Sequence, residues 1–250
     1  MNLAWRLPKG SGVHDLEELG IDFAKHLAEG PCPCFMVVLL PAHSGPVRNW
    51  LCWIYNDFRD VEREKRFWRG DAPAEFMREH RAIGKRFSAA YRGGQDLWMV
   101  LREDLSHQPR LAVSDFAKIR FINMDEIRLR PGRVREFTEF RSEIATAYAA
   151  ADVDGPVWVY EIYSGGPTNS FQIWTPYNSV AQLDLVPRIR KSVDKALGDA
   201  GRTRVAELAE ASIAKSATAF LSISPGRSYT PPNLKAADPA FWKSTTRPFP

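Results

Sequence analysis

The stretch VYEIYSGGPTNSFQIW, residues 159–174, predicts two short strands joined by a tight turn. Aromatic and β-branched residues occupy both flanks, and the central Gly-Gly-Pro-Thr-Asn contains residue types that favour turns. The architecture of the chain depends on whether this hairpin occurs once or is one copy of a repeated unit.

The chain is similar to itself at an offset of 121 residues. Trp53 of an earlier predicted hairpin aligns with Trp174, and the apolar stripe of one predicted helix repeats with the same 3, 4, 4 steps in the other copy. In the turn, Gly45-Pro46 of the first copy aligns with Gly166-Pro167 of the second. In the helix, the aligned residues are Leu16, Leu19, Phe23 and Leu27 of the first copy and Phe137, Phe140, Ile144 and Tyr148 of the second. This agreement predicts an internal duplication, with repeats over 1–121 and 122–224 and a Pro-rich tail over 225–250 packed on the body.

In each repeat, the pattern of residues predicts the element order β-α-β-β-α-β. In the second copy the pattern gives a strand, a helix, a hairpin, a broken helical stretch and a last strand, over 118–129, 134–151, 157–177, 180–214 and 217–224. In the first copy the corresponding strand, hairpin and helical stretch fall at 3–10, 35–55 and 59–91. The predicted fold class is therefore α+β, with two tandem ferredoxin-like repeats. Because an open sheet face rich in aromatic residues is normally covered, we expect the two antiparallel sheets to pair with each other.

Composition and charge exclude several classes of protein. Lys and Arg exceed Asp and Glu by only 34 to 30, and opposite charges are interspersed, which gives no case for binding nucleic acid or an anionic membrane. No apolar run approaches the ~20 residues that span a bilayer, and no signal-peptide pattern is present. The sequence also lacks the aromatic motif of RNA-recognition domains, whose topology is the same. We expect a cytoplasmic protein.

The three cysteines allow two interpretations. Cys32 and Cys34 flank Pro33, and Cys52 falls on the partner strand of the same predicted hairpin. A Cys-x-Cys pair could bind a soft metal, although a tetrahedral site needs four ligands. The alternative is that all three are buried free thiols in a reducing compartment.

Three stretches carry a resemblance to a known family: DEIRLRPGRVREFTEF, VYEIYSGGPTNSFQIWTPYNSVAQLD and SATAFLSISPGRSYTPPNLKAADPAFW. Together they resemble the dimeric α+β barrel superfamily, and within it an uncharacterised bacterial branch of duplicated barrels. The resemblance implies that the two repeats form an intrachain version of the barrel. It also implies a range of activities, which include cofactor-free oxygenation of aromatic polyketides, haem chemistry and ligand sensing. Fold alone cannot choose among them.

Aromatic residues at the strand ends are candidate ligand-binding residues. In cofactor-free oxygenases of this superfamily, Trp, Tyr and Asn line a pocket and stabilise the anion of a flat phenol. By that resemblance Trp53, Tyr55, Trp174 and Tyr177 would contact the substrate, and Asn56 would donate to a developing oxyanion. The alternative is that the Trp and Tyr side chains fill the hydrophobic core.

The histidines are candidates for proton transfer, and all of them lie in the first half of the sequence. Imidazole titrates near neutral pH, so His43 or His80 is the predicted general base if one exists. Their spacing fits no zinc motif. Haem-binding relatives take their ligand from the second unit, which has no histidine here, so the resemblance argues against haem. The alternative for each histidine is a solvated or hydrogen-bonded structural role.

These observations leave two principal functions open. The first is an oxidoreductase of monooxygenase type that acts on a small apolar or aromatic molecule without a metal, nucleotide or other cofactor. The second is a non-catalytic small-molecule-binding or scaffold protein, and a haem enzyme ranks below both. An empty cavity with polar groups at its wall favours the enzyme, whereas a filled core favours the scaffold. In either case we expect a homodimer.

Overall fold

The computed structural model describes residues 1–8, 13–30, 32–44 and 48–243, and the side chains of 2–5, 7–8, 13–15, 43–44 and 92 are outside the described set. Within these residues the first half contains β1 (Asn2–Pro8), α1 (Val13–Glu29), β2 (Phe35–Ser44), β3 (Asn49–Ile54), α2 (Phe58–Arg66), a π-helical turn (Phe67–Asp71), α3 (Ala74–Ala90) and β4 (Tyr91–Leu101). A 3-10 turn (Glu103–Leu105) and the short α4 (Val113–Phe116) follow.

The second half repeats the order of elements. It contains β5 (Phe121–Leu129), α5 (Val134–Ala150), β6 (Trp158–Ser164), β7 (Ser170–Tyr177), a 3-10 turn (Val180–Leu185), α6 (Val186–Ser212) and β8 (Ile213–Tyr229), and the chain continues into α7 (Pro232–Ala237) and α8 (Pro239–Trp242). The β-α-β-β-α-β order predicted from the sequence therefore occurs twice. That the two copies arose by duplication stays a prediction.

The long helical stretch of each half is interrupted. The second helical stretch of the first half is interrupted by the π-helical turn and resumes after Pro73, which precedes α3. In the second half, Gly198 has a φ of 65° and interrupts α6 with non-helical backbone. Among the described residues, no helix combines the length and the apolar character needed to cross a membrane.

The described residues form two compact units that do not coincide with the sequence repeats. The first unit contains residues within 1–42, 46–97 and 222–250, and the second contains those within 43–45 and 98–221. The predicted domains 1–121, 122–224 and 225–250 were defined by similarity along the sequence, whereas the compact units are defined by packing. The predicted domains stay a prediction.

The first unit has an antiparallel sheet with the strand order β4-β1-β3-β2, and the last half of β8 extends it beside β2. Val37 of β2 faces Cys52 of β3 in the register. On the helical side, Phe23 of α1 and Phe87 of α3 meet edge to face, with ring centroids 5.2 Å apart. Phe23 also packs on the buried cluster that contains Val38 of β2 and Leu51 of β3, so α1 lies against one face of this sheet with α3 beside it.

The second unit has its own antiparallel sheet, in the order β8-β5-β7-β6 followed by the end of β4. Helix α5 packs on this sheet through Phe137, whose ring lies 4.6 Å from that of Phe171 on β7. Both side chains are fully buried with Leu129 and Val159. Phe171 and Ile173, two positions apart on β7, both belong to this buried cluster, and the predicted α+β class with antiparallel sheets is confirmed.

The last strand is longer than the sequence predicts. Pro225 and Gly226 are turn signals, yet β8 continues through them to Tyr229. Ser228 explains the continuation, because its Oγ donates to the Ser224 carbonyl at 2.6 Å and accepts from the Val38 backbone N–H at 3.0 Å. A side chain thus supplies hydrogen bonds where the Pro-Gly pair disturbs the regular strand pairing.

Replacing Phe137 with alanine should destabilise the protein by about 3–5 kcal/mol, because it leaves a cavity in a fully buried aromatic contact. The matched control is Tyr163→Ala on β6, whose side chain is 77% exposed and should cost less than about 1 kcal/mol. Urea unfolding of the two variants measures the difference. Equal losses of stability would contradict the packing described for α5.

Candidate functional site

A cavity of about 400 Å³ opens in the first unit between its helices and its sheet. Its walls come from β1, α1, β3, α3 and β4. The apolar lining residues are Phe23, Leu51, Trp53 and Phe87, and the polar ones are Arg6, His80, Ser88 and Tyr91. The size and the mostly apolar lining with a few polar groups are typical of small-molecule sites.

Simple periodicity places these residues on the cavity wall. Leu51 and Trp53 are two positions apart on β3, so both point to the same face of the sheet. His80, Gly84 and Phe87 are spaced by four and three on α3, so they share one face of the helix. A side-chain Cβ at Gly84 would meet no heavy atom within 4 Å, so this glycine leaves the space open.

His80 lies among aromatic rings at the cavity wall. Its ring centroid is 4.3 Å from Trp68 and 5.8 Å from Phe23. Its Nδ1 is buried and has no hydrogen-bond partner in the described part of the chain. Burial lowers the pKa of His80 below the ordinary histidine value, and the nearby His26 lowers it further. The imidazole is therefore neutral near pH 7 and able to accept a proton.

His26 lies behind His80 and is not a residue that the sequence singled out for function. Its ring stacks on Phe76 with centroids 4.1 Å apart and lies 5.6 Å from the His80 ring. Its Nδ1 is 3.6 Å from the Glu79 carboxylate. His26 follows Phe23 by three positions on α1, so the helical stripe of apolar residues already indicates that it faces inward.

Tyr91 supplies a hydroxyl to the same cavity, and sequence reasoning missed it. Asn49 Nδ2 donates to the Tyr91 Oη at 3.0 Å, so the hydroxyl keeps its own proton available for a ligand. Its ring is parallel to that of Phe87 at 5.6 Å. Burial raises the pKa of Tyr91, which keeps it a protonated donor at neutral pH. It follows α3 directly, a position that no motif marks.

The predicted site residues divide into four groups. Trp53 and His80 line the cavity together. Tyr55 and Asn56 are engaged elsewhere in the first unit, since the Tyr55 hydroxyl donates to Glu64 Oε2 and the exposed Asn56 amide donates to Asp60 Oδ2 at 2.9 Å. Neither is among the described residues that line the cavity. The side chain of His43 lies outside the described residues.

The two remaining candidates belong to the second unit. Trp174 is buried, and its Nε1 donates to Gln172 Oε1 at 3.0 Å. Tyr177 is half-buried near Phe220, with ring centroids 6.3 Å apart, and burial raises its pKa. Both aromatic rings are thus packed into the second unit, and their role in ligand binding stays a prediction. Among the described residues no group of three His, Cys, Asp or Glu side chains is arranged to hold a metal ion.

Comparison with known proteins finds likeness only at the level of fold. No protein-family model matches the chain, and no curated protein matches it. A "putative monooxygenase" structure from Fusobacterium nucleatum covers 89% of this chain and 90% of its own, with a TM-score of 0.56 and 10% identity. The chain shares its fold.

Two further structures match over similar lengths. An "anthrone oxidase-like protein" covers 89% of this chain and 90% of its own, with a TM-score of 0.55 and 10% identity. A "putative monooxygenase" from Lactobacillus acidophilus covers 89% of this chain and 92% of its own, with a TM-score of 0.52 and 7% identity. These likenesses support the predicted α+β fold class, and at such low identity they show the fold alone.

The lowered pKa of His80 predicts how stability depends on pH. The unfolded chain binds a proton at this position more readily than the folded chain, so stability should fall as pH drops below about 6.5. In His80→Gln this part of the loss should be absent. Urea unfolding of both proteins at about pH 7.5 and about pH 5.5 tests this, and an identical pH dependence in the two would contradict it.

Proposed function

We propose that the protein is an oxidoreductase of oxygenase type that oxidises a small, mostly apolar aromatic molecule with dioxygen in the cavity of the first unit. One observation carries the proposal: a neutral imidazole, His80, and a phenol donor, Tyr91, line the same apolar cavity. A proton acceptor and an oxyanion donor are the two groups needed to form and hold the anion of a phenol or an anthrone.

The aromatic walls favour a flat ligand. Phe23, Trp53 and Phe87 offer ring faces and edges to a planar ring system. The structural neighbours include a protein described as anthrone oxidase-like. An anthrone carries an acidic CH₂ group opposite a carbonyl oxygen, so removal of one proton from carbon places negative charge on that oxygen.

The proposed reaction begins with proton transfer and needs no metal, nucleotide or other cofactor. The His80 imidazole accepts the proton from the CH₂ group, and the Tyr91 hydroxyl donates a hydrogen bond to the resulting oxyanion. The electron-rich anion then passes electrons to dioxygen. For anthrone the balance is one dioxygen consumed, with one anthraquinone and one water formed. The low dielectric constant of the apolar cavity strengthens the hydrogen bond to the anion.

A second candidate is a non-catalytic binding protein that uses the same cavity. The observation that favours it is the Nδ1 of His80, which has no orienting hydrogen-bond partner among the described residues. Catalytic imidazoles are usually fixed by such a partner. In this case the cavity would hold the aromatic molecule unchanged.

Oxygen uptake with anthrone distinguishes the two functions. We expect consumption above the spontaneous rate, reduced about 10²–10⁴-fold in His80→Gln and about 10²–10³-fold in Tyr91→Phe, since these variants remove the proton acceptor and the oxyanion donor. An oxygen electrode, with circular dichroism as a check of folding, provides the measurement. Binding of anthrone without oxygen uptake above the spontaneous rate would favour the binding protein.

Filling the cavity tests where the ligand binds. Gly84→Leu places a side chain in the open space, so anthrone affinity should fall at least about tenfold while stability is unchanged or rises, because leucine favours helix over glycine. Gly70→Leu is the matched control, since a Cβ at Gly70 also meets no atom within 4 Å and Gly70 does not line the cavity. Titration followed by tryptophan quenching measures both. Equal affinities would place binding elsewhere.

A further inference from the structure

Cys32 and Cys34 form a close pair of thiols between α1 and β2. Their Sγ atoms are 2.9 Å apart and share a hydrogen bond. Cys32 is 6% exposed and Cys34 is 5% exposed, and neither is in a disulfide. Two sulfur atoms in direct contact need little movement to form a bond.

The surroundings hold the pair in place. The half-buried rings of Tyr55, Trp68 and Tyr229 lie at the edge of the cluster around the pair. The buried apolar side chains of this cluster are Leu27, Met36, Val38, Leu51, Phe67 and Phe76. The Tyr229 hydroxyl donates to the Cys32 carbonyl at 3.1 Å, which fixes the backbone on one side of Pro33. The proline restricts the backbone between the two thiols.

The two sulfur atoms differ in chemistry. The hydrogen bond between the two sulfur atoms, in which either thiol can donate, lowers the pKa of Cys32 against the opposing effect of burial. The same contact, together with burial, raises the pKa of Cys34. The pair therefore contains one sulfur that loses its proton more readily and a neighbour that keeps its proton, and their 2.9 Å contact places the second within reach of the first.

We infer that Cys32 and Cys34 form a peroxide-reducing dithiol site, in which Cys32 attacks hydrogen peroxide and Cys34 closes an intrachain disulfide. The Cys32 thiolate attacks one peroxide oxygen, the O–O bond breaks, and a sulfenic acid and hydroxide form. The hydroxide takes up a proton and leaves as water. Cys34 sulfur then attacks the sulfenic sulfur, the S–O bond breaks, and a second water leaves. In total, two thiols and one hydrogen peroxide give one disulfide and two waters.

Burial determines which oxidant can react. Hydrogen peroxide is close to water in size, so it needs a smaller opening of the surrounding packing than a peptide disulfide such as oxidised glutathione, which reacts only when the thiol itself is accessible. We therefore expect selectivity for the small peroxide. This inference does not depend on the proposed oxidation of anthrone.

Cys52 is an internal control in the same unit. It lies between Leu51 and Trp53 on β3, and since these two residues contact the cluster around the thiol pair, strand alternation directs Cys52 to the opposite face. It is also buried, and burial raises its pKa, which makes it a poor nucleophile. Cys52 should therefore stay reduced when the pair is oxidised.

The test uses the reduced full-length chain treated with hydrogen peroxide. Intact-mass spectrometry should show a loss of about 2 Da, and titratable thiols should fall from three to one. Peptide mapping should join Cys32 to Cys34. Cys52→Ser should react in the same way, whereas oxidised glutathione at equal concentration should react at least about tenfold more slowly.

Single variants separate the two roles. Cys34→Ser should stop at the sulfenic acid of Cys32, which dimedone traps, and Cys32→Ser should give neither adduct nor disulfide. Far-ultraviolet circular dichroism confirms that each variant is folded. The inference is overturned if peroxide leaves all three thiols reduced, if Cys52 oxidises as fast as Cys32, or if folded Cys34→Ser yields no dimedone adduct. Equal rates with oxidised glutathione would overturn the selectivity for peroxide.

Discussion

The alternation of side chains along β3 is the constraint on which the chemistry of the first unit depends. Leu51 and Trp53 face the helices and form part of the cavity wall, while Cys52 between them faces the other way. A shift of the β2–β3 register by one residue would exchange these positions and remove both the aromatic wall and the packing around the Cys32–Cys34 pair. Cavity and thiol pair thus share one strand register.

The sequence predicted the elements well because their signals are local. Helix stripes, turn residues and runs of β-branched and aromatic residues predicted the β-α-β-β-α-β order. The extent of β8 was not predicted. Its continuation depends on hydrogen bonds of Ser228 with Ser224 and with Val38, which is 190 positions away, and no local pattern reports such a partner.

The candidate site was predicted less completely, for the same reason. Trp53 and His80 could be chosen by residue type and element, but Tyr91 joins them only through the packing of α3 against the sheet. Tyr55 was predicted to contact a ligand, but its hydroxyl instead donates to Glu64 of α2, nine positions later. Which partner a polar aromatic residue meets is decided by tertiary packing, which composition and spacing do not contain.

The two halves of the sequence carry different residues at equivalent positions of the predicted repeat. At the offset of 121 residues, His80 corresponds to Gly201 and Gly20 to Arg141. Arg141 is buried in the second unit, where burial lowers its pKa to about 10, whereas in the first unit the side chain of Arg227 lies against Gly20. Since β8 supplies residues 222–229 to the first unit, that unit is completed only by the end of the chain. During synthesis the early strands of the first unit must therefore wait for more than half of the polypeptide to emerge, whereas the second unit is almost continuous in sequence.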